Sequence, residues 1–293
     1  MVTVSAPATS ANLGSGFDVF GLALSRPVDV VRVRRAETVT IDVTGVGSQY
    51  IPEDPDRNTV GAVARELDTP AHIEIDKGVR PASGMGSSAA SAAAAAVALN
   101  HLYDRGYTRA ELVSVAAEGE RVVSGDAHAD NVAPALLGGF TIATGGGVTA
   151  VAPELSLVVC LPDIVVSTSD AREALPDGAT LDQFVETVGN ATTLVAGMCR
   201  SDPDLVGAGM SDPVVTPARA ALIEGYDEVC TAARTAGAAG VSISGAGPAV
   251  MAVCRSGDRR GVASAMVDAF DDRGVDARAY QTCVGDGARI VSR

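Results

Sequence analysis

The densest cluster of chemistry-bearing residues runs Pro81-Ala82-Ser83-Gly84-Met85-Gly86-Ser87-Ser88. Gly84 and Gly86 let the backbone turn tightly and bring N–H groups close to a ligand. Ser87 and Ser88 open an alanine-rich stretch that predicts a helix. The first N–H groups of a helix have no partner within it, and its macrodipole is positive at that end. The combination is a ready anion site, suited to phosphate. The serine hydroxyls could bind phosphate oxygens or Mg2+, a hard ion that prefers oxygen. The segment is not a Walker A loop, since G-x-x-x-x-G-K-[ST] is absent. Nor is it a nucleophile elbow, because its order is not G-x-S-x-G. Taken alone, a serine cap beside a glycine turn would explain it as well.

Two further glycine-rich segments have similar character. Pro7-Ala8-Thr9-Ser10-Ala11-Asn12-Leu13-Gly14-Ser15-Gly16-Phe17-Asp18 sets Asn12 and Asp18 into a turn between apolar segments. Asparagine can hold a hydroxyl and aspartate an ammonium group. An Asx-turn without a ligand is the plain alternative. Val241-Ser242-Ile243-Ser244-Gly245-Ala246-Gly247-Pro248 reads as the turn between two strands. Gly245 and Gly247 could close over a ligand there, or simply permit a hairpin.

The elements that must position these segments follow from hydrophobic period. Strands are expected over 2–5, 28–33, 39–43 and 73–75. Helices are expected over 58–67 and 87–102, and over 109–123 behind a Thr108/Glu111 capping box. Segments 140–143 and 148–151 flank Gly145-Gly146-Gly147 as a hairpin. A new pattern starts at residue 155, with strands over 155–161, 241–244, 249–254 and 277–282. Helices are expected over 181–199, 217–236 and 259–272. Extra helices aside, this second half is β-α-β-β-α-β, a split βαβ arrangement. The expectation is an α+β chain of two domains, 1–154 and 155–293, packed together with a ligand cleft at their junction.

Composition narrows the partners. The 293 residues are 47% hydrophobic and carry a net charge of −14. So acidic a chain is a poor match for nucleic acid or an anionic membrane, both of which need a basic face. Aromatics are only 3%, so Val, Ala, Leu and Ile must fill the core. Lys77 is the single lysine in a chain with 22 basic residues. High acidity with almost no lysine points to a salt-rich cytoplasm, where counterions screen self-repulsion. Five cysteines without a C-x-x-C pair read as reduced thiols. The opening residues do not read as a signal peptide, and no run of about 18 apolar residues suggests a membrane span. Three histidines without Cys/His spacing argue against zinc.

In order, spacing and wording, the three glycine-rich segments resemble the three motifs of the GHMP kinase superfamily, over residues 3 to about 282. The resemblance implies a two-domain fold, with an N-terminal mixed α/β domain and a C-terminal ferredoxin-like domain, and ATP and substrate between them. Within the superfamily, His128-Ala129-Asp130-Asn131-Val132-Ala133-Pro134-Ala135-Leu136-Leu137-Gly138-Gly139 resembles the homoserine kinase version of a segment that carries a catalytic Asp in mevalonate kinases. Asn131 stands at that place and cannot be a general base. Asp130 would point the other way if the backbone there is extended. The stretches 10–24 and 215–222 also look like homoserine kinase.

By that resemblance Arg172 and Arg219 take the substrate carboxylate, Asp18 its ammonium group and Asn12 its hydroxyl. Arginine forks suit carboxylates. Glu120 is implied as a Mg2+ ligand opposite Ser88, with Glu118 the rival. Pro81, Ser83, Gly84, Met85, Gly86, Ser87, Ser88, Gly245 and Gly247 would hold ATP. Asn58 resembles an adenine-contacting residue, although a helix cap fits equally. Asn12, Ser88, Glu120 and Asn131 form the implied catalytic group, and His128 is expected to be a satisfied polar residue. The implied reaction is ATP- and Mg2+-dependent phosphorylation of L-homoserine, with a homodimer the assembly to look for. Alternatives are a shikimate- or mevalonate-type kinase and a non-catalytic sensor of the same fold.

Overall fold

A computed structural model describes all residues except 125–128, 256 and 293, and gives the backbone alone for 122–124. His128 therefore lies outside the described residues.

The first half builds one sheet from β1 (Val2–Ala11), β2 (Phe20–Arg35), β3 (Thr40–Gly45), β4 (Ala71–Lys77), β5 (Phe140–Thr144) and β6 (Gly147–Val151). Its helices are α1 (Thr59–Glu66), α2 (Ser87–Tyr103), α3 (Arg109–Ser124) and α4 (Ala129–Leu137). The 16-residue β2 organises the sheet. It pairs with β1 along its length, with β4 through Val30–Arg35 and with β5 through Phe20–Leu22. β3 and β4 run parallel, whereas the other pairs are antiparallel. The helix α2 is apolar all round and buried from Ala89 to Leu99, as a helix of that composition must be. It lies between the sheet and α1, α3 and α4.

The second half continues with β7 (Ser156–Pro162), α5 (Thr168–Glu173), α6 (Leu181–Arg200), α7 (Pro203–Gly209), α8 (Val215–Ala220) and α9 (Tyr226–Thr235). It ends with β8 (Ala238–Ile243), β9 (Val250–Cys254), α10 (Arg259–Asp271), β10 (Ala277–Cys283) and β11 (Arg289–Ser292). Four strands form a second, antiparallel sheet in the order β10-β7-β9-β8. Period two divides β7 between two cores. Leu157, Val159 and Leu161 join Leu194 and Met198 of α6 and Leu22, Leu24 and Phe140 of the first sheet. Val158 and Cys160 instead meet α9 and α10. The two halves thus meet through one face of the second sheet.

Several elements differ from expectation. β1 runs on through the glycine-poor start of the first motif to Ala11 and is buried throughout. The expected helix 217–236 is two, α8 and α9, broken around Gly225 at φ +82°. The segment around Asn131 is helical rather than extended, despite Pro134 inside it. β11 returns to pair with β1, so the second half gives its last strand to the first sheet. Among the described residues, no helix is long and apolar enough to cross a membrane.

Candidate active site

A cavity of about 470 Å³ lies between the two halves. The three glycine-rich segments meet on its wall and are stitched together. Thr9 N–H donates to Met85 O (3.0 Å), Gly245 N–H to Ala11 O (3.1 Å) and Ala249 N–H to Ser83 O (3.2 Å). Ser244 Oγ donates to Gly84 O at 2.7 Å. Gly84 sits at φ +76°, and a Cβ there would fall 2.4 Å from Ser244 O and 2.7 Å from Gly247 O. Glycine is required because two loops touch backbone to backbone.

Gly86, not a serine, is the N-cap of α2, and no side chain caps that end. Ser87 Oγ donates instead to Val79 O (2.7 Å), and Ser88 Oγ to Glu120 Oε2 (2.8 Å). The plain serine cap is therefore absent, and the positive end of the helix lies at the cavity wall. Pro81, Ser83, Gly84, Gly86, Ser87, Ser88, Gly245 and Gly247 all line the cavity. Met85, expected among the nucleotide contacts, does not. Its side chain is fully buried in the apolar core, its N–H is engaged by Ser83 Oγ and its C=O by Thr9.

Glu120 is buried and faces Ser88, whereas Glu118 pairs on the surface with Arg121. Burial raises the Glu120 carboxyl to about 7, opposed by the Ser88 hydrogen bond and Lys77. A hydroxyl and a carboxylate at a helix N-terminus form an all-oxygen pair, which fits Mg2+ shared with phosphate oxygens. Among the described residues no three His, Cys, Asp or Glu gather in one place.

Lys77 is the site residue that sequence reasoning missed. It is buried beneath the loop and lines the cavity. Its ammonium group is ion-paired with Asp29 and donates to Ser87 O (2.7 Å) and Ser91 Oγ (2.9 Å). Asp29 in turn accepts from the N–H groups of Gly78 (3.0 Å) and Val79 (2.9 Å). Burial lowers the Lys77 pKa, and Asp29 opposes the shift. The available signal was its being the only lysine, four residues ahead of the loop.

The same cavity is lined by the charged side chains of Asp18, Arg172 and Arg219. Arg172 on α5 donates to Asp18 Oδ2 at 2.7 Å. Arg219 on α8 is 5% exposed and donates through Nε to Ala171 O (3.1 Å) and through Nη1 to Gly245 O (3.0 Å). Both guanidinium groups lie over the Phe17 ring, 5.2 and 5.0 Å from its centroid. Asn12 is engaged on both sides: Nδ2 donates to Gly245 O (2.8 Å), and Oδ1 accepts from Asp18 N–H (3.0 Å). It therefore clamps the first and third motifs and fixes Asp18. Asn58 is a helix cap, accepting from Val60 N–H (3.1 Å) and donating to Pro52 O (2.7 Å), and it also lines the cavity. Because α4 is helical, Asp130 and Asn131 both reach the cavity rather than opposing sides.

Residues 57–139 match the GHMP kinases N terminal domain, and residues 194–272 match the GHMP kinases C terminal family. The chain is 70% identical, over 99% of its length, to the homoserine kinase of Halorubrum lacusprofundi, covering 99% of that protein. It is also 70% identical, over 99% of its length, to the homoserine kinase of Haloarcula marismortui, covering 100% of that protein. The crystal structure of homoserine kinase from Cytophaga hutchinsonii matches with a TM-score of 0.91 and 37% identity, over 99% of this chain and 97% of that one. Two-domain fold, motif geometry and full-length similarity agree: the chain belongs to the GHMP kinase superfamily and, within it, to the homoserine kinase family.

Proposed function

We propose that the protein transfers the γ-phosphoryl group of ATP to the side-chain hydroxyl of L-homoserine, giving O-phospho-L-homoserine and ADP for threonine synthesis. The observation that carries this is one cavity lined by two chemically distinct sets of groups. The glycine loop, the α2 N-terminus and the Ser88–Glu120 pair suit a nucleotide phosphate. Asp18, Arg172 and Arg219 suit an ammonium and a carboxylate on one small molecule.

The homoserine oxygen attacks the γ-phosphorus in line, and the bond to the β,γ-bridging oxygen breaks. Phosphoryl transfer proceeds through a loose transition state, so early removal of the hydroxyl proton is unnecessary. The proton leaves late, to the transferred phosphate. Positioning and electrostatics then supply the rate. Backbone N–H groups of Gly84, Gly86, Ser87 and Ser88 hold the phosphates, and Lys77 fixes the start of α2 through Ser87 O. Asn12, whose amide keeps one hydrogen and one lone pair beyond its protein contacts, orients the hydroxyl, and Asn131 lines the same cavity. Mg2+ on Ser88 and Glu120 would neutralise charge on the phosphates. The net charge and the single lysine support a salt-rich cytoplasm as the working environment.

The test is coupled ADP release with Mg2+-ATP at high salt, comparing L-homoserine with shikimate, mevalonate, galactose and no acceptor. Release that depends on homoserine alone is expected. Release with another alcohol would discard the roles of Asp18, Arg172 and Arg219, and binding of both ligands without product would indicate a sensor.

A further inference from the structure

Thr9 is completely buried on β1, two residues before that strand ends, and its hydroxyl spans to α4. Oγ1 donates to Asn131 Oδ1 at 2.9 Å across 122 residues of sequence. The phosphate loop rests on this pair. A Cβ at Gly86 would fall 2.0 Å from Thr9 Oγ1 and 2.8 Å from Asn131 Oδ1. Thr9 N–H also holds Met85 O, so one residue ties the loop to α4 through backbone and side chain together.

An amide side chain has an accepting end and a donating end. With Oδ1 facing a hydroxyl donor inside the protein, Nδ2 becomes the end that Asn131 turns outward. It lies 3.4 Å from Asp130 Oδ1, too long for a strong bond, and Asn131 lines the cavity beside Gly86 and Ser88. We propose that Thr9 is a positioning residue that locks the Asn131 amide with its N–H toward the transferred phosphoryl group, so that Asn131 works as a donor to developing charge. This rests on the phosphotransfer reading of the site. It gives the fully buried Thr9 hydroxyl a role that packing alone does not require, since valine would fill the same volume.

The test is a series of Thr9→Val, Thr9→Ser, Asn131→Ala and Thr9→Val with Asn131→Ala, all checked for unchanged thermal midpoint. Thr9→Val is expected to lower kcat by about tenfold, the scale of one hydrogen bond at the reacting centre, while both KM values stay within about twofold. Thr9→Ser should restore kcat. In the Asn131→Ala background Thr9→Val should add nothing, because the two residues act as one unit. A second readout needs no acceptor: calorimetric binding of Mg-ADP with aluminium fluoride should weaken in Thr9→Val and recover in Thr9→Ser, with ADP binding unchanged. Failure of the homoserine assay would sink the proposed substrate, and the fluoride measurement would still judge Thr9. Normal kcat and fluoride binding in Thr9→Val, no rescue by serine, or a full Thr9→Val effect without Asn131 would each overturn the proposal.

Discussion

Replacing Arg172 and Arg219 one at a time by alanine should separate two kinds of arginine. Arg172 is part-exposed and pairs with Asp18 at the cavity rim. Its loss removes one charge-assisted contact to a substrate carboxylate, worth about 1.5–3 kcal/mol, or roughly ten- to a hundredfold. Solvent screening at that exposure puts Arg172→Ala at the low end. Arg219 is buried, so its carboxylate contact belongs at the high end. It also satisfies the carbonyls of Ala171 and Gly245. Gly245 O keeps its bond from Asn12, but stranding Ala171 O costs about 1–3 kcal/mol where no water replaces the guanidinium. Arg172→Ala should therefore raise the homoserine KM about tenfold with its melting point kept. Arg219→Ala should raise it nearer a hundredfold and lower the melting point as well. Initial rates of ADP release at saturating Mg2+-ATP give both KM values, and the ATP KM serves as the internal control. An unchanged homoserine KM in both variants, or an ATP KM that moves equally, would refute the assignment of these two arginines to the substrate carboxylate.

Ser88→Ala and Glu120→Ala should each lower kcat by about tenfold or more and raise the Mg2+ needed for half-activity, with little change in homoserine KM; a Mg2+ titration checks this. Glu120 carries a pH signature. Its folded pKa of about 7 lies above the ordinary 4.5, so its stabilising contribution is complete below pH 4.5 and is lost as pH rises through 7. The loss is worth about 3 kcal/mol. In chelator, Glu120→Gln should gain stability relative to the parent between pH 5 and 8; parallel melting curves would contradict this. Gly84→Ala meets two carbonyl oxygens and a left-handed backbone, so it should cost at least about 1–2 kcal/mol in thermal or chemical denaturation.

The glycine loops were legible because each is local: a turn, a helix start, a few polar residues in a row. What sequence hid was whatever depends on distant partners. Pro7 and Ser10 suggest a turn, yet they sit in a buried strand because β2 pairs with it through Ala11. Pro134 and the glycines after it obscured α4, and so put Asp130 and Asn131 on opposite sides when both reach the cavity. β11 has four residues and little pattern of its own; only β1 makes it a strand. The part Asn12 plays could not be read, since its two partners are a residue nearby and another 233 positions away. Lys77 was noticed as a compositional oddity and not as part of the site, because Asp29, Ser87 and Ser91 come to it only in the fold.

The burial of Lys77 has a practical corollary. In the folded protein its side-chain amine is enclosed by Asp29, Ser87 and Ser91 under the loop. An acylating reagent finds this single side-chain amine in the sequence besides the α-amine of Met1, and finds it covered. Its labelling rate therefore serves as a clock for opening of the ground beneath the phosphate loop, read by mass spectrometry at one residue without any engineered probe. A nucleotide seated on that loop should slow the clock, while unfolding elsewhere that leaves the loop closed should leave it untouched.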